Sequence, residues 1–406
     1  MTDRKLRLGV AGLGRGFMLM LPTLARHPKL ELAAAADPRP EARAQFARDF
    51  GGPAYATVAE LCADPSLDAI YVATPHGLHL EHVTLAARAG KHVLVEKPMA
   101  LSVADCQAMI DVARAAGVQM LVGHSHSFDL PYLRTRALIE SLRFGRVRMI
   151  TALNYTDFLY RPRRPEELDT GQGGGVVFSQ AAHQVDIVRL LGGGRVRSVR
   201  AAAARDETRG TEGAYSALLT FEDGAFATMT YSGSAHFDSD EFQDWVGELG
   251  QRRDKARYGE ARTRLRAFSS PEEEARAKNE RAYGSAVASA AAGNADPAAH
   301  NHFGLVLVSC DRADLRPMSD GVRIYADDAQ SLDPLPKPDV PRAEVIDELY
   351  EAIMHGVPPI HSGEWGLATM EVCLALLQSA AQGREVTMAH QCGVGTTLPS
   401  SPSRAR

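Results

Sequence analysis

"LRLGVAGLGRGF", residues 6–17, decides the fold. An apolar run of the kind a buried strand needs ends in a glycine-rich turn, and the residues after it open a helix. In that order the turn presents backbone N–H groups at a helix N-terminus, a natural seat for phosphate. Gly12 permits the tight turn, and Gly14 lets the backbone approach a pyrophosphate. The third position of the G-x-G-x-x-G pattern is Phe17, with Gly16 beside it, and Leu13 and Arg15 complete the loop. Residues 12–17 are therefore expected at a dinucleotide. Asp37 ends the next apolar run, where its carboxylate can accept hydrogen bonds from ribose hydroxyls. The same charge repels a 2′-phosphate, so NAD is expected, while Arg39 two residues on keeps NADP open.

Outward from that loop, short apolar runs alternate with helical segments as far as about residue 125. "LELAAAAD", "LDAIYVATP", "KHVLVEKP" and "VQMLVGH" read as strands. Continuous apolar strands separated by helices predict a doubly wound parallel sheet covered on both faces, an α/β unit over residues 1–125. From about 147 the pattern changes. "VRMITALNY", "VRSVRAAAA", "AYSALLTF", "AFATMTYSG", "LVLVSC" and "GVRIYAD" are strands, with Asp223-Gly224 as a hairpin turn. This predicts an α+β domain over 126–390 with a largely antiparallel, open sheet. One helix is expected over 175–191 and others over 342–355 and 364–383. Residues 250–298 are charged and then Ala/Gly-rich, which reads as a solvated insertion. Residues 391–406 read as a disordered tail.

Composition excludes several classes of function. The chain has 406 residues and a formal charge of −5, so nothing draws it as a whole to nucleic acid or anionic lipid. It has no apolar run long enough for a membrane span. The basic start and apolar middle near residues 4–25 are interrupted by Arg15 and four glycines, and are read as structure, not a leader. Five scattered cysteines without a C-x-x-C pair suit a reducing cytoplasm.

Two further stretches carry chemistry. "VLVEKPMALS" places Glu96 and Lys97 directly after a buried strand, at the strand ends where ligands bind in parallel sheets. "GGGVVFSQAAHQVDIV", 173–188, spaces Ser179, His183 and Asp186 along a helix. Ser179 and His183 then share a face, and Asp186 is positioned to orient the imidazole. Lys97 or His183 can take a hydroxyl proton. "NYTDFLYRPRRPEELD", 154–169, carries Tyr155, Arg161, Arg163 and Arg164 on a proline-stiffened loop suited to carboxylate. His124 and His126 in "GHSHSFD", and His302 in "HNHFG", complete the expected substrate side. His300 and His302 lack a third partner at ligand spacing, so no metal is expected.

"TPHGLHLEHVTLAARAGKHVLVEKPMALS" (74–102) together with "GGGVVFSQAAHQVD" resembles the glucose–fructose oxidoreductase/inositol dehydrogenase family, Gfo/Idh/MocA. "ALIESLRFGRV" (137–147) and "PPIHSGEWGLATMEVCLALLQSAAQGREV" (358–386) resemble it too. The resemblance implies an N-terminal Rossmann domain and hydride transfer between nicotinamide and a hydroxyl-bearing carbon. It also implies a homodimer or homotetramer built through the C-terminal sheet. Thr74, Pro75 and His79 match its cofactor-side TP-x-x-x-H segment, Glu96 and Lys97 its EKP, and His183 its catalytic histidine. Ser179 stands where the family commonly has aspartate. Within the family the chain is most similar to the phthalate cis-4,5-dihydrodiol dehydrogenases, which implies oxidation of a dihydroxycyclohexadiene dicarboxylate to a catechol. A sugar, inositol or sugar-acid dehydrogenase, and a non-catalytic NAD-binding regulator, are the alternatives.

Overall fold

The structure, a computed structural model, describes residues 4–285 and 299–395. Its first sheet has six strands: β1 (Leu6–Ala11), β2 (Leu30–Ala36), β3 (Ala54–Tyr55), β4 (Ala69–Val72), β5 (His92–Val95) and β6 (Met120–Val122). Their order is β3-β2-β1-β4-β5-β6 and every pairing is parallel. Side chains alternate between the faces, so each strand feeds two cores. Leu6, Leu8, Val10, Tyr71 and Leu94 fill one, and Ile70, Val72, Val93 and Val95 the other. Helices α1 (Arg15–Arg26), α2 (Pro40–Phe50), α3 (Val58–Cys62), α4 (His79–Arg88) and α5 (Val103–Ala116) cover those faces. The chain winds one way from β1 to β3 and the other from β4 to β6, which opens a crevice at the carboxyl ends of β1 and β4.

The second sheet has nine strands: β7 (Val147–Tyr155), β8 (Val196–Asp206), β9 (Thr211–Phe221), β10 (Phe226–Ser232), β11 (Leu305–Cys310), β12 (Ala313–Met318), β13 (Gly321–Ala326), β14 (Gln330–Pro334) and β15 (Val386–Thr387). In the order β14-β13-β12-β11-β7-β10-β9-β8-β15, only β7 and β10 run parallel. The expectation of a parallel sheet joined to a largely antiparallel one holds. Strands β12 and β14 escape a sequence reading because Pro317, Asp333 and Pro334 are poor strand residues, tolerated here toward the sheet edge.

Helices α6 (Leu130–Glu140) and α7 (Ala182–Leu191) cover the inner face of this sheet. The later helices are α8 (Glu260–Arg266), α9 (Pro271–Asn279), α10 (Ala343–Met354) and α11 (Gly363–Gln382). Val345, Ile346, Leu349 and Tyr350 of α10 join the core of the first sheet. α11 lies against α5, α7 and β8, so it holds the two sheets together. No helix among the described residues is long and apolar enough to cross a membrane.

Two expectations need correction. Residues 250–285 are not wholly a solvated excursion: residues 251–258 are exposed, but Glu274 is buried against Arg209 and α9 lines the central cleft. Residues 286–298 lie outside the described residues. Nor is 391 the start of a loose tail: the Gln391 side chain and the Cys392 carbonyl accept from the buried guanidinium of Arg189, which also bonds the Trp365 carbonyl and Thr369. Residues 396–406 lie outside the described residues.

Candidate active site

One cleft of about 1490 Å³ runs from the β1 turn to the helix face of the second sheet. Single drug-sized ligands occupy roughly 300–1,000 Å³, so this cleft has room for a dinucleotide and a second small molecule. Gly12 adopts φ +94°, and a Cβ there would meet the Ala73 carbonyl oxygen at 2.8 Å. Gly14 caps α1 with no side-chain hydrogen bond, and its missing Cβ points into open space. Backbone and helix terminus are thus exposed together, which is the geometry a pyrophosphate needs. Gly16 faces Glu96 across the groove, and Arg15, Thr74 and Pro75 line it.

Asp37 is buried at the groove edge. It accepts from the Leu13 amide at 2.8 Å and the Arg39 amide at 2.9 Å, and the Arg39 guanidinium grips both its oxygens. The carboxylate that repels a 2′-phosphate is therefore held in place by the cation that could have tolerated one. The side chains of Leu13 and Phe17 turn into the core instead of the groove, so only their backbone belongs to the loop. His79 is also a core residue. Its ring bonds the carbonyls of Thr74, Pro98 and Met99, tying two cleft loops together without facing the cleft.

At the far end, Lys97 donates from Nζ to the Ser179 carbonyl at 2.9 Å. Residues 177–181 form a π-helical turn before α7, so Ser179 reaches Lys97 through its backbone. His183 is buried, and its Nδ1 has no hydrogen-bond partner. Burial, then the charges of Lys97, His126, His124 and Arg342, hold its pKa well below the usual histidine value. Burial also pushes the Lys97 ammonium down, against the pull of Glu96 and Glu248. The His183 ring lies 4.8 Å from that of His126 and 5.8 Å from that of His124. His126 bonds Asp129 at 2.6 Å and faces Glu248 at 3.4 Å; burial opposes its charge, but the two carboxylates raise its pKa. Burial likewise opposes the charge on Glu248, yet His126, Arg161 and His302 bring it down to about 2.

The arginine loop enters from the side. Arg161 pairs with Asp157 at 2.9 Å, and Arg164 with Glu166 at 3.1 Å. Arg163 stacks 3.6 Å above the Phe158 ring, and its buried Nε has no partner. All three line the cleft.

A family model described as "Oxidoreductase family, NAD-binding Rossmann fold" matches residues 6–124, and the Gfo/Idh/MocA C-terminal domain matches 132–251. The 1-carboxy-3-chloro-3,4-dihydroxycyclohexa-1,5-diene dehydrogenase of Comamonas testosteroni is 47% identical over 376 residues, 92% of this chain and 94% of that protein. The chain belongs to the Gfo/Idh/MocA oxidoreductase family. This Gfo/Idh/MocA enzyme is an NAD-binding oxidoreductase. A crystal structure of a proposed dehydrogenase from Bordetella bronchiseptica RB50 matches it with TM-score 0.88 and 41% identity, over 95% of this chain and all of that one. The WlbA dehydrogenase of Bordetella pertussis, solved with NADH and UDP-GlcNAcA, shares the fold at TM-score 0.66 and 22% identity, over 95% and 99% of the two chains.

Besides His79, three more expected site residues of this family member do not face the cleft. Asp186 lies one turn beyond His183 but turns away from it. Its carboxylate accepts from Ser127, Trp365 and Thr369 and so locks α7 to α11. Tyr155 alternates onto the outer face of β7, beside Phe237. His302 spends both ring nitrogens on backbone, the Val246 carbonyl at 2.8 Å and the Gly304 amide at 3.1 Å. His300 also bonds a carbonyl, that of Pro336. Conversely, sequence reading missed Arg342 and Glu248. Arg342 sits at φ 53° before α10, donates to the Leu19 carbonyl at 2.7 Å and lines the cleft with its Nε unpartnered. The only local signal for Glu248 is its turn, bracketed by Gly247 and Gly250.

Proposed function

We propose that the protein oxidises a cis-dihydrodiol of an aromatic carboxylate to the corresponding catechol, with NAD as the hydride acceptor. The observation that carries this reading is that Lys97, held by the Ser179 carbonyl, and buried His183 share a cleft walled by Arg161, Arg163 and Arg342. Guanidinium groups suit the bidentate binding of carboxylate. The acid-bearing diene in the name of the C. testosteroni relative supports the same substrate class. Phthalate cis-4,5-dihydrodiol is the specific substrate we propose, giving 4,5-dihydroxyphthalate.

Gly12–Gly16 would hold the pyrophosphate of NAD, Asp37 its ribose, and Thr74, Pro75, Glu96 and Lys97 its nicotinamide end. When bound, NAD would supply the acceptor for the hydride of the carbinol carbon. Lys97 Nζ, oriented by the Ser179 carbonyl, donates a hydrogen bond to the reacting hydroxyl oxygen. The His183 imidazole takes the hydroxyl proton, since its depressed pKa keeps it neutral and able to accept. The resulting hydroxyenone tautomerises to an aromatic ring. That gain favours oxidation, so Ser179 suffices where a sugar-oxidising relative uses a carboxylate. We place the protein in the cytoplasm, which suits its unpaired cysteines, as a homodimer or homotetramer formed through the outer face of the second sheet.

The test is NADH formation, followed by absorbance, from phthalate cis-dihydrodiol, a monocarboxylated dihydrodiol, the uncharged ring diol, and a panel of sugars and inositols. Turnover of the acid diols alone is expected. Equal turnover of neutral polyols would replace this reading with a sugar or inositol dehydrogenase. Tight NADH binding without turnover of any diol or polyol would make the protein a regulator.

A further inference from the structure

The insertion after β10 crosses the dinucleotide end of the cleft instead of leaving it. Residues 272–285 share the cleft with Gly12, Gly14, Asp37 and Arg39. They are tied to both walls. On the first-sheet side, the Tyr283 ring packs edge-on against Phe17 at 5.2 Å, its hydroxyl donates to Asp49, and its carbonyl accepts from Arg39 at 3.1 Å. Gly284 lies so close to α2 that a Cβ would meet the Ala42 Cα at 2.6 Å. On the second-sheet side, buried Glu274 pairs with Arg209 and accepts from the Arg163 amide at 2.8 Å, and Lys278 pairs with Glu167 at 3.0 Å.

Between those anchors stands a cation that the fold does not use. The Arg281 side chain forms no ion pair and no side-chain hydrogen bond among the described residues, and it lines the cleft. Arg15, the first residue of α1, is equally without an acidic partner. After burial, Arg281 is the strongest influence holding the Arg15 guanidinium down, at about 10. Two like charges thus line one cleft, together with Gly14, whose side opens into free space at the end of a twelve-residue helix. Such repulsion is unfavourable unless an anion comes between them.

We propose that residues 271–285 form a strap over the bound dinucleotide, with Arg281 from the strap and Arg15 from the glycine loop gripping its pyrophosphate from opposite sides. The proposal rests on the placement of NAD given above. Cofactor release then requires the strap contact to break, so the strap sets the rate at which NADH leaves.

Binding without turnover tests it. NADH, ADP-ribose and adenosine are titrated into the wild-type protein and into Arg281→Ala and Arg281→Lys, and NADH release is timed by stopped-flow fluorescence. Loss of one charge-assisted contact predicts about tenfold weaker NADH and ADP-ribose binding in Arg281→Ala, with a matching rise in the release rate. Adenosine, which lacks phosphate, should bind as before, and Arg281→Lys should recover part of the loss. NADH binding within twofold of wild type in Arg281→Ala would overturn the proposal. So would equal weakening of adenosine, which means a displaced strap. Failure of the wild-type protein to bind ADP-ribose would instead overturn the placement of NAD itself.

Discussion

A neutral imidazole can accept a proton, and His183 is kept neutral first by burial and then by a ring of neighbouring positive charge. The acid limb of kcat/KM should therefore lie below pH 6.5 and vanish in His183→Asn, as measured in a pH profile. Lys97→Ala and His183→Ala should each lower kcat by about 10²–10⁴-fold, with NADH affinity within about threefold of wild type. Rates close to wild type in both variants would remove these residues from the proton-transfer step. Lys97, His183 and the glycine loop were legible in sequence because their order along a strand, turn or helix nearly dictates where they lie. Asp186 was not, because helical spacing fixes only an angle around the axis. Trp365 and Thr369, far along the chain, decide that its carboxylate faces α11 and not His183. Ser179 shows a subtler limit: a π-helical turn shifts the face that ordinary helical spacing assigns it.

Elements meet at a buried histidine outside the cleft. His361, just before α11, bonds Glu348 of α10 at 2.9 Å and Ser127 at 2.8 Å, and its ring stacks on Phe128 at 3.5 Å between centroids. Burial disfavours its charge, but Glu348 raises its pKa above the unfolded value. The stabilisation is therefore full below about pH 6.5, the ordinary histidine value, and fades as pH rises through the folded pKa. In urea unfolding, Glu348→Gln should cost most near pH 6 and less near pH 8.5. A cost that does not change with pH would show that His361 is neutral throughout. Most of the longer strands and the long helices were legible from apolar pattern, β12 and β14 excepted, and α10 and α11 fall within a residue of expectation. The insertion was not legible. Its charged composition matches a solvated helix, and only tertiary contacts, Glu274 with Arg209 on one wall and Tyr283 with Phe17 on the other, show that it lies across the cleft.

At the scale of the whole molecule, the second sheet is covered by long helices on one face only among the described residues. Its other face carries Leu218, Thr228, Phe226, Thr151 and Tyr155, in register across β9, β10 and β7. Leu218 and Phe226 are each about 40% exposed on that face (41% and 39%). Light scattering at micromolar concentration should give a dimer or tetramer, and Leu218→Arg with Phe226→Arg should shift the mass to that of one chain. A wild-type protein that scatters as a single chain would rule out assembly through this face. The sequence resemblance implied such an assembly, whereas strand alternation alone could not say which face the helices would leave bare.

The placement of α10 also governs the order in which the chain can mature on the ribosome. The last strand of the first sheet ends at Val122, but the helix that fills one side of that sheet's core begins at Ala343. At about 5–20 residues per second, synthesis leaves a gap of roughly 10–40 s between the two. Through that interval the nascent sheet shows Leu6, Leu8 and Tyr71 without Val345, Leu349 and Tyr350 against them. The N-terminal half therefore cannot mature ahead of the C-terminal half. A chaperone that shields apolar sheet surface has its natural client in this half-made chain, and a fragment stopped after β6 should aggregate before it can bind a nucleotide.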